Sequence, residues 1–593
     1  MHSKISLLFS LCLIFQNLWS QDSKLISPAP NQVLYGIQIP FRFPPVSTAN
    51  SYTILWKKEN VNSSALDWNR ITLQAPGTLV KNDITFGDSI VWKYQAYDQA
   101  NKLIFSSPEI RFSLAPIPDY LLNYRLRITQ DRAGDAIYFI DNPAAAWDRK
   151  GNLIWFYQSD SESRRIMDMR MTREGHISLI SVLSPYGRAV LISPEMDTLF
   201  DAHTAGWKNP LFPYLTFHHH FESLEDGSLL MVADIKHRPE SKELNMGAGS
   251  ARKYPQIVLS MTKTGRINWI WESDKYLSLE DNACYGHINS VAYKPKTGDL
   301  LVSMKDLSRI VYTRLHHAST IFSLNGINEK SDKKKVAMSS TRNPVVPANT
   351  NSQPGRLQNL GEESQPPPVN RPVPKPGTRT VEGILGPFSG QHSVQFSHSG
   401  NVLMFNNNSY NPNVKYSTLL ELELPQKPED DSKVVWEHVL QFQDTLQKKS
   451  MGRGGVQVCE NGELMTFMGQ ISRIFESDTA QQILWMGILE HFPDSARGWQ
   501  NAPGYKAFRS SSLYPAFFTS ELIESIELGK CVRISNLGSE ADTYQIVDAK
   551  GNLLLKKSIP AGEHALITIL EKWPKQINIQ SNLNPSRTQS LKL

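Results

Sequence analysis

The sequence predicts an all-β fold whose largest part is a β-propeller of roughly six blades. Three observations lead there. Helical periodicity is scarce, while short β-branched and aromatic runs between Gly, Asn, Asp and Pro turns are frequent. A turn-plus-strand unit recurs at Glu174-Gly175-His176-Ile177-Ser178-Leu179, at Gly227, Gly298 and Gly400, and at Asn461-Gly462-Glu463-Leu464-Met465. Between its copies runs a second signature, an apolar strand, a turn and an apolar strand ending in Trp. It reads Ala146-Trp147-Asp148-Arg149-Lys150-Gly151-Asn152-Leu153-Ile154-Trp155 and Thr262-Lys263-Thr264-Gly265-Arg266-Ile267-Asn268-Trp269, with fainter copies ending at Trp436 and Trp485. Two hairpins per unit give four strands, the content of one blade. The recurrence of about 50 to 70 residues exceeds the usual blade, and long loops absorb the difference.

Taken from the N-terminus, the chain opens with an export signal over residues 1–20. His2 and Lys4 precede the apolar stretch Ile5 to Phe15, and Leu18-Trp19-Ser20 offers a cut near Gln21. The apolar core is short for a membrane span and no later segment approaches that length. The expectation is an exported protein, periplasmic or secreted. Residues 22–115 read as a separate β-sandwich that resembles a fibronectin type III-like domain, with a central Trp and a late Tyr-rich strand. Its strands alternate, as in Ile37-Gln38-Ile39-Pro40-Phe41-Arg42-Phe43, where Pro40 falls on the polar face, and in Val91-Trp92-Lys93-Tyr94-Gln95-Ala96-Tyr97. The repeats occupy residues 116–520. They are interrupted by a Pro-, Ser-, Asn- and Lys-rich segment, 326–380, whose lack of aromatics predicts a disordered insertion. A small β-rich region, 521–593, follows and is either a terminal sandwich or a set of closing strands.

Charge and cysteine content narrow the classes. The formal net charge is +5, and residues 326–380 carry nine Lys/Arg against four Asp/Glu, which accounts for all of it. The rest is balanced, so nucleic-acid binding has no basis. Without the signal, Cys284, Cys459 and Cys531 remain, too scattered for a disulfide framework and without CxxC spacing, so buried thiols are expected.

The residues that carry chemistry are three histidines at matching places in the repeat. His219 and His392 each stand eight residues before a turn glycine, Gly227 and Gly400, and His287 stands eleven before Gly298 within a longer turn. Repeated β units around an axis bring equivalent positions together, so a shared polar site is expected. In the run His218-His219-His220, strand alternation sends 219 to the face opposite its neighbours. Asp168 stands near the equivalent point of the first repeat.

The surrounding motifs resemble the bacterial arylsulfate sulfotransferases over roughly residues 130–490. The resemblance rests on Tyr285-Gly286-His287-Ile288-Asn289-Ser290-Val291 preceded by Trp269-Ile270-Trp271-Glu272. It rests equally on Leu385-Gly386-Pro387-Phe388-Ser389-Gly390-Gln391-His392-Ser393 followed by Phe405-Asn406-Asn407, and on Phe217-His218-His219-His220-Phe221. It implies ping-pong transfer of a sulfuryl group from an aryl sulfate to a phenol, with no nucleotide donor, cofactor or metal. It implies His392 as nucleophile through a sulfohistidine, His287 and His219 as proton donors or oxygen binders, Asn289 as a residue that orients His287 or binds an oxygen, and Gln391 on the substrate side. Where the family places an Arg on the strand after His-Ile-Asn-Ser, this chain has Lys305, which keeps the charge and loses the bidentate fork; Arg309 and Arg314 are the nearest substitutes. Two other classes stay open: a metal-dependent propeller lyase or hydrolase, and a non-catalytic binding propeller. A homodimer is compatible with each.

Overall fold

The computed structural model describes residues 26–59, 68–81, 84–158, 165–182, 187–202, 215–235, 256–273, 286–315, 321–326, 388–424, 432–440, 442, 449–459, 462–478, 480–525, 528–584 and 588–593. The export signal, nearly all of the insertion, Cys284 and the pair His316-His317 lie outside the described residues. Among the described residues helical structure is confined to Asp119–Leu122, the 3-10 turn Lys305–Leu307 and the single residues Ala202 and Ser273. None is long and apolar enough to cross a membrane.

The protein is all-β and its central architecture is that of a β-propeller. Six sheets follow one another, each built on four antiparallel strands. The second takes Arg165–Met171, Ile177–Val182, Gly187–Ile192 and Thr198–Asp201, and the third Leu215–Ser223, Leu229–Ile235, Gln256–Met261 and Ile267–Glu272. The fourth takes Ile288–Lys294, Asp299–Met304, Arg309–Arg314 and Ile321–Asn325, and the fifth His392–Phe396, Val402–Asn406, Thr418–Leu422 and Val434–Val439. The sixth takes Gly455–Val458, Leu464–Met468, Arg473–Ser477 and Ile483–His491, widened by Tyr124–Gln130 and Gln500–Asn501. The first has mixed origin. Its strands Ile137–Ile140, Ala145–Asp148 and Leu153–Phe156 are completed by Ala507–Ser510 from late in the chain, with Ile140 opposite Ala507. A late strand completing the first blade is how a closed repeat removes a free sheet edge.

The two repeated signatures have plain structural causes. Gly175, Gly227, Gly298, Gly400 and Gly462 all sit at positive φ in the hairpin between the first and second strands, where a Cβ is disfavoured. The signature Trp residues lie on the fourth strand of their units: Trp155 and Trp485 are fully buried, packed against the neighbouring sheet, whereas Trp269 and Trp436 are partly exposed.

By contact density the chain divides into two units. One comprises 1–223, 261–266 and 457–593, and the other 224–260 and 267–456. Within the first unit, the N-terminal strands Gln32–Leu34, Ser51–Lys58, Asn69–Leu73, Ser89–Tyr97, Leu103–Ser106 and Ile110–Leu114 share one sheet. Ile39–Arg42 and Gly77–Val80 form another. Between them Trp92 meets Phe41 edge-on at 4.9 Å and Phe43 stacks on Tyr94 at 4.2 Å. The polar placing of Pro40 is corrected: Ile39, Pro40 and Phe41 are all buried. One face of that short sheet fills the sandwich, while Leu79, opposite Pro40, packs with Trp155, Leu513 and Tyr514. Residues 518–592 form two further sheets around Val532, Ile534, Tyr544, Ile546 and Ile579. Cys459 and Cys531 are buried free thiols, and burial pushes Cys459 up to about 11.

Candidate functional site

The beginnings of the innermost strands share a backbone device. Asp168, His219, His287, Ser393 and Arg453 have φ of 54°, 62°, 62°, 52° and 63° in the second to sixth sheets or just before them. Left-handed backbone at a non-glycine residue is uncommon, is most tolerable for Asp, Asn and His, and clusters at functional sites. Around several of these points the ladder slips: between Met167 and Arg170, Ile288 and Ser290, and His392 and Gln395. Such bulges re-aim a side chain that regular alternation would send elsewhere. The recurrence of histidine in the sequence therefore marks a recurrent kink as well as a recurrent ring.

In the second unit, His392 opens the fifth sheet and is 2% exposed. Its Nδ1 lies 2.7 Å from Asn407 Oδ1 and 3.2 Å from the Gly390 carbonyl. On the other side of the ring, the Arg453 backbone N–H donates to Nε2 at 3.3 Å. Asn407 is fully buried, and its amide nitrogen donates to the carbonyls of Ser450 (2.7 Å) and Arg453 (3.0 Å). Gly390 must be glycine: at φ 60° its backbone is left-handed, and a Cβ would come within 2.5 Å of Ser409 Oγ.

His287 precedes the first strand of the fourth sheet and is partly exposed. Its Nδ1 is 3.5 Å from Asp306 Oδ2. The same carboxylate holds Lys305 Nζ at 3.1 Å and accepts from the Tyr410 hydroxyl at 3.0 Å, while Lys305 Nζ lies 3.2 Å from Tyr410 O. Burial works to raise Asp306, but His287 and Lys305 outweigh it and hold the carboxyl well below its usual range. Burial alone would lower Lys305; Asp306 and Tyr410 reverse that and raise it. Lys305 is thus a fixed cation whose charge is largely compensated by its neighbour.

The two amides expected on the substrate side bond to neighbouring protein groups. Asn289 and Gln391 are both fully buried. Asn289 Nδ2 donates to the Gln391 carbonyl at 2.7 Å, and Gln391 Nε2 donates to Ser303 Oγ at 3.1 Å and the Arg309 carbonyl at 3.0 Å. They join the starts of the fourth and fifth sheets, which sets His287 and His392 on one framework. Arg314 is no stand-in for the missing Arg. It pairs with Asp299 at the turn end of the sheet, whereas Met304 and Arg309 pair at the His287 end.

In the first unit, His219 sits inside Leu215–Ser223, and its left-handed backbone breaks the simple alternation expected for the His run. His218 and His220 are buried, His219 is half-buried, and the Nδ1 atoms of 218 and 219 are 2.6 Å apart. Beneath lies a charged cluster. Asp168, fully buried, takes two contacts from Arg170 Nη2 (2.6 and 2.8 Å), one from Lys506 Nζ (3.2 Å) and one from the Phe221 N–H (2.6 Å). Lys506 Nζ also donates to the His219 carbonyl at 2.9 Å. Burial would raise Asp168, but Arg170, Lys506 and His220 hold it well below the carboxylate range. Burial lowers Lys506 and His220. The next carboxylate, Asp141, is pushed up to about 7 by burial and by Asp168, against three backbone N–H donors.

Of the residues named from the sequence, His287 and Lys305 are hydrogen-bonded neighbours, and Asp168 and His219 share Lys506 as a partner. Sequence reading missed Asp306, Tyr410, Asn407, Arg453 and Lys506. Asp306 is adjacent to Lys305 and Asn407 lies within the quoted Phe405-Asn406-Asn407, so both were within sight. Lys506 is 338 residues from its partner Asp168, and no local pattern links them.

The profile of the family described as Arylsulfotransferase (ASST) matches residues 124–439, more than half of the 593-residue chain. Among solved structures, a Bacteroides caccae protein of unknown function is 10% identical, with 65% of this chain and 98% of that one covered, at a TM-score of 0.35. A streptogramin B lyase is 10% identical over 74% of this chain and 97% of its own, at a TM-score of 0.27. A Pseudomonas aeruginosa periplasmic gluconolactonase is 11% identical over 88% of this chain and 100% of its own, at a TM-score of 0.23. No curated protein matches the chain.

Proposed function

The chain belongs to the arylsulfotransferase family, and from that premise we propose that it is an exported enzyme transferring a sulfuryl group between phenols through a sulfohistidine at His392. Family membership supports aryl sulfotransferase activity in general. The observation that carries the finer reading is His392 itself. It is a buried imidazole inside the matched segment, held at Nδ1 by an amide oxygen and a carbonyl, while a backbone N–H faces Nε2, an arrangement that fits a ring with its lone pair on Nε2.

The chemistry then runs in two halves. An imidazole lone pair attacks sulfur, the bond from sulfur to the aryl oxygen breaks, and a phenolate leaves. Phenol has a pKa of about 10, so protonating the leaving oxygen eases departure. His287, beside Asp306, is the group we assign to supply that proton. Lys305 offers positive charge to the sulfuryl oxygens. In the second half His287, left unprotonated by the first, takes the acceptor phenol's proton, the phenol oxygen attacks the same sulfur, the bond from sulfur to Nε2 breaks, and the imidazole recovers its lone pair. His219 belongs to the first unit, and His219→Ala tests whether it takes part.

A chromogenic aryl sulfate with a phenol acceptor tests the reading, comparing wild type with His392→Ala. Release of the chromophore by wild type alone is expected; equal turnover by the variant overturns the covalent route. A wild type inert towards aryl sulfates returns the chain to the binding-propeller class.

A further inference from the structure

Resting on that reading, we propose that Asn407 is a positioning residue that locks His392 in the tautomer with its proton on Nδ1, making Nε2 the atom that takes the sulfuryl group. Three independent contacts specify the proton. Gly390 offers a carbonyl, which only accepts, 3.2 Å from Nδ1. Asn407 Oδ1 is 2.7 Å from the same nitrogen. The Arg453 backbone N–H, which only donates, faces Nε2 at 3.3 Å. A neutral imidazole satisfies all three only with hydrogen on Nδ1 and the lone pair on Nε2.

The Asn407 amide has no freedom to turn over. Its nitrogen faces two carbonyls, of Ser450 and Arg453, and a flipped amide would set oxygen against both. The orientation of one buried amide thus passes through its oxygen to the ring. The choice of amide over carboxylate has a consequence of its own. A carboxylate opposite Nδ1–H stabilises the imidazolium and so favours a second proton on Nε2, in competition with the lone pair. Asn supplies the acceptor without the charge, so the ring is oriented and stays nucleophilic.

The transfer balances on this tautomer. The Nε2 lone pair forms the bond to sulfur, the bond from sulfur to the aryl oxygen breaks, and the phenolate carries away the electron pair. Nδ1 keeps its proton throughout, and its hydrogen bond to Asn407 strengthens as the ring gains positive charge. At the same moment the Arg453 N–H loses the lone pair it faced. It then lies beside the incoming sulfuryl oxygens, as a backbone donor poised for charge that develops during reaction.

The test reads the tautomer directly in the full-length protein. Histidine labelled with ¹⁵N is observed by NMR without substrate, and the His392 signals are those missing from His392→Ala. A protonated Nδ1 and an unprotonated Nε2 are expected in wild type. Asn407→Leu, which fills the space without an acceptor, should populate the other tautomer. It should lower kcat by about 10- to 100-fold with donor KM nearly unchanged. Asn407→Asp, which restores the acceptor with a charge, should return the proton to Nδ1 and move the ring's protonation to higher pH. A wild-type ring protonated on Nε2 overturns the assignment and leaves sulfuryl transfer intact. A folded Asn407→Leu with wild-type kcat also overturns it. The wild-type spectrum decides the tautomer even where a variant does not fold. A wild type that shows this tautomer yet never releases a phenol sinks the sulfotransferase reading, and with it the catalytic role of Asn407.

Discussion

The two units repeat one backbone device and surround it with opposite chemistry. At Asp168 and His219 the left-handed kinks rest on a buried cluster of full charges: Asp168, Arg170 and Lys506. At His392, beside the kink at Ser393, the ring meets the Asn407 amide oxygen, the Gly390 carbonyl and the Arg453 backbone N–H. Full charges in a low-dielectric interior are rigid and costly to disturb, which suits a clamp that holds strained backbone in place. A nucleophilic imidazole needs the reverse. A carboxylate beside the ring favours its protonated form, and an amide acceptor does so less. His287 falls between the two, with Asp306 at one ring nitrogen and Lys305 and Tyr410 beyond it. Equivalent addresses in a repeat therefore predict equivalent geometry, while the partners decide what each residue does.

The sharpest way to break this contrast is to remove one residue from each side. His392→Ala should reduce turnover by a factor on the order of 10³ or more, as loss of a covalent nucleophile does. Its thermal midpoint should stay close to wild type. Asp168→Ala should do the opposite kind of damage, leaving Lys506 and Arg170 buried without their counter-charge. A loss of about 3–5 kcal/mol in urea unfolding is expected. A variant as stable as wild type would show that the charged cluster clamps nothing.

Smaller effects separate charge from geometry. Lys305→Met should raise donor KM by about tenfold, roughly 1.4 kcal/mol, with a lesser change in kcat. The effect is modest because Asp306 already compensates the lysine. No change in donor KM would remove Lys305 from substrate contact. The smallest effect is in the pH dependence of stability. Asp168 is depressed in the folded state, so its contribution is fully present above the unfolded value of about 4 and is lost as pH falls below it. Asp168→Asn should flatten the acid decline in unfolding free energy by up to about 1.4 kcal/mol per pH unit. An unaltered slope would place the acid-sensitive groups elsewhere.

Much of the fold was legible because its signals are local. Turn glycines fix hairpins, and fourth-strand tryptophans such as Trp155 and Trp485 pack against the neighbouring sheet, so both repeat in the text as they do in space. The position of His392 was legible for the same reason. Its partners were harder to see. Asn407 lies in a run of three asparagines whose members differ only in which way the chain turns them. Lys506 and Asp168 meet through blade closure, a contact with no sequence signature. The strand holding Pro40 was misjudged because alternation assumes one wet face, and here both faces are covered.

The central claim is that His392 carries the sulfuryl group, and mass spectrometry of the protein mixed with an aryl sulfate, without acceptor, tests it most directly. The prediction is one acid-labile sulfuryl group on the peptide containing His392, discharged by added phenol and absent from His392→Ala. Wild-type turnover with no adduct, or an adduct on another residue, would contradict it.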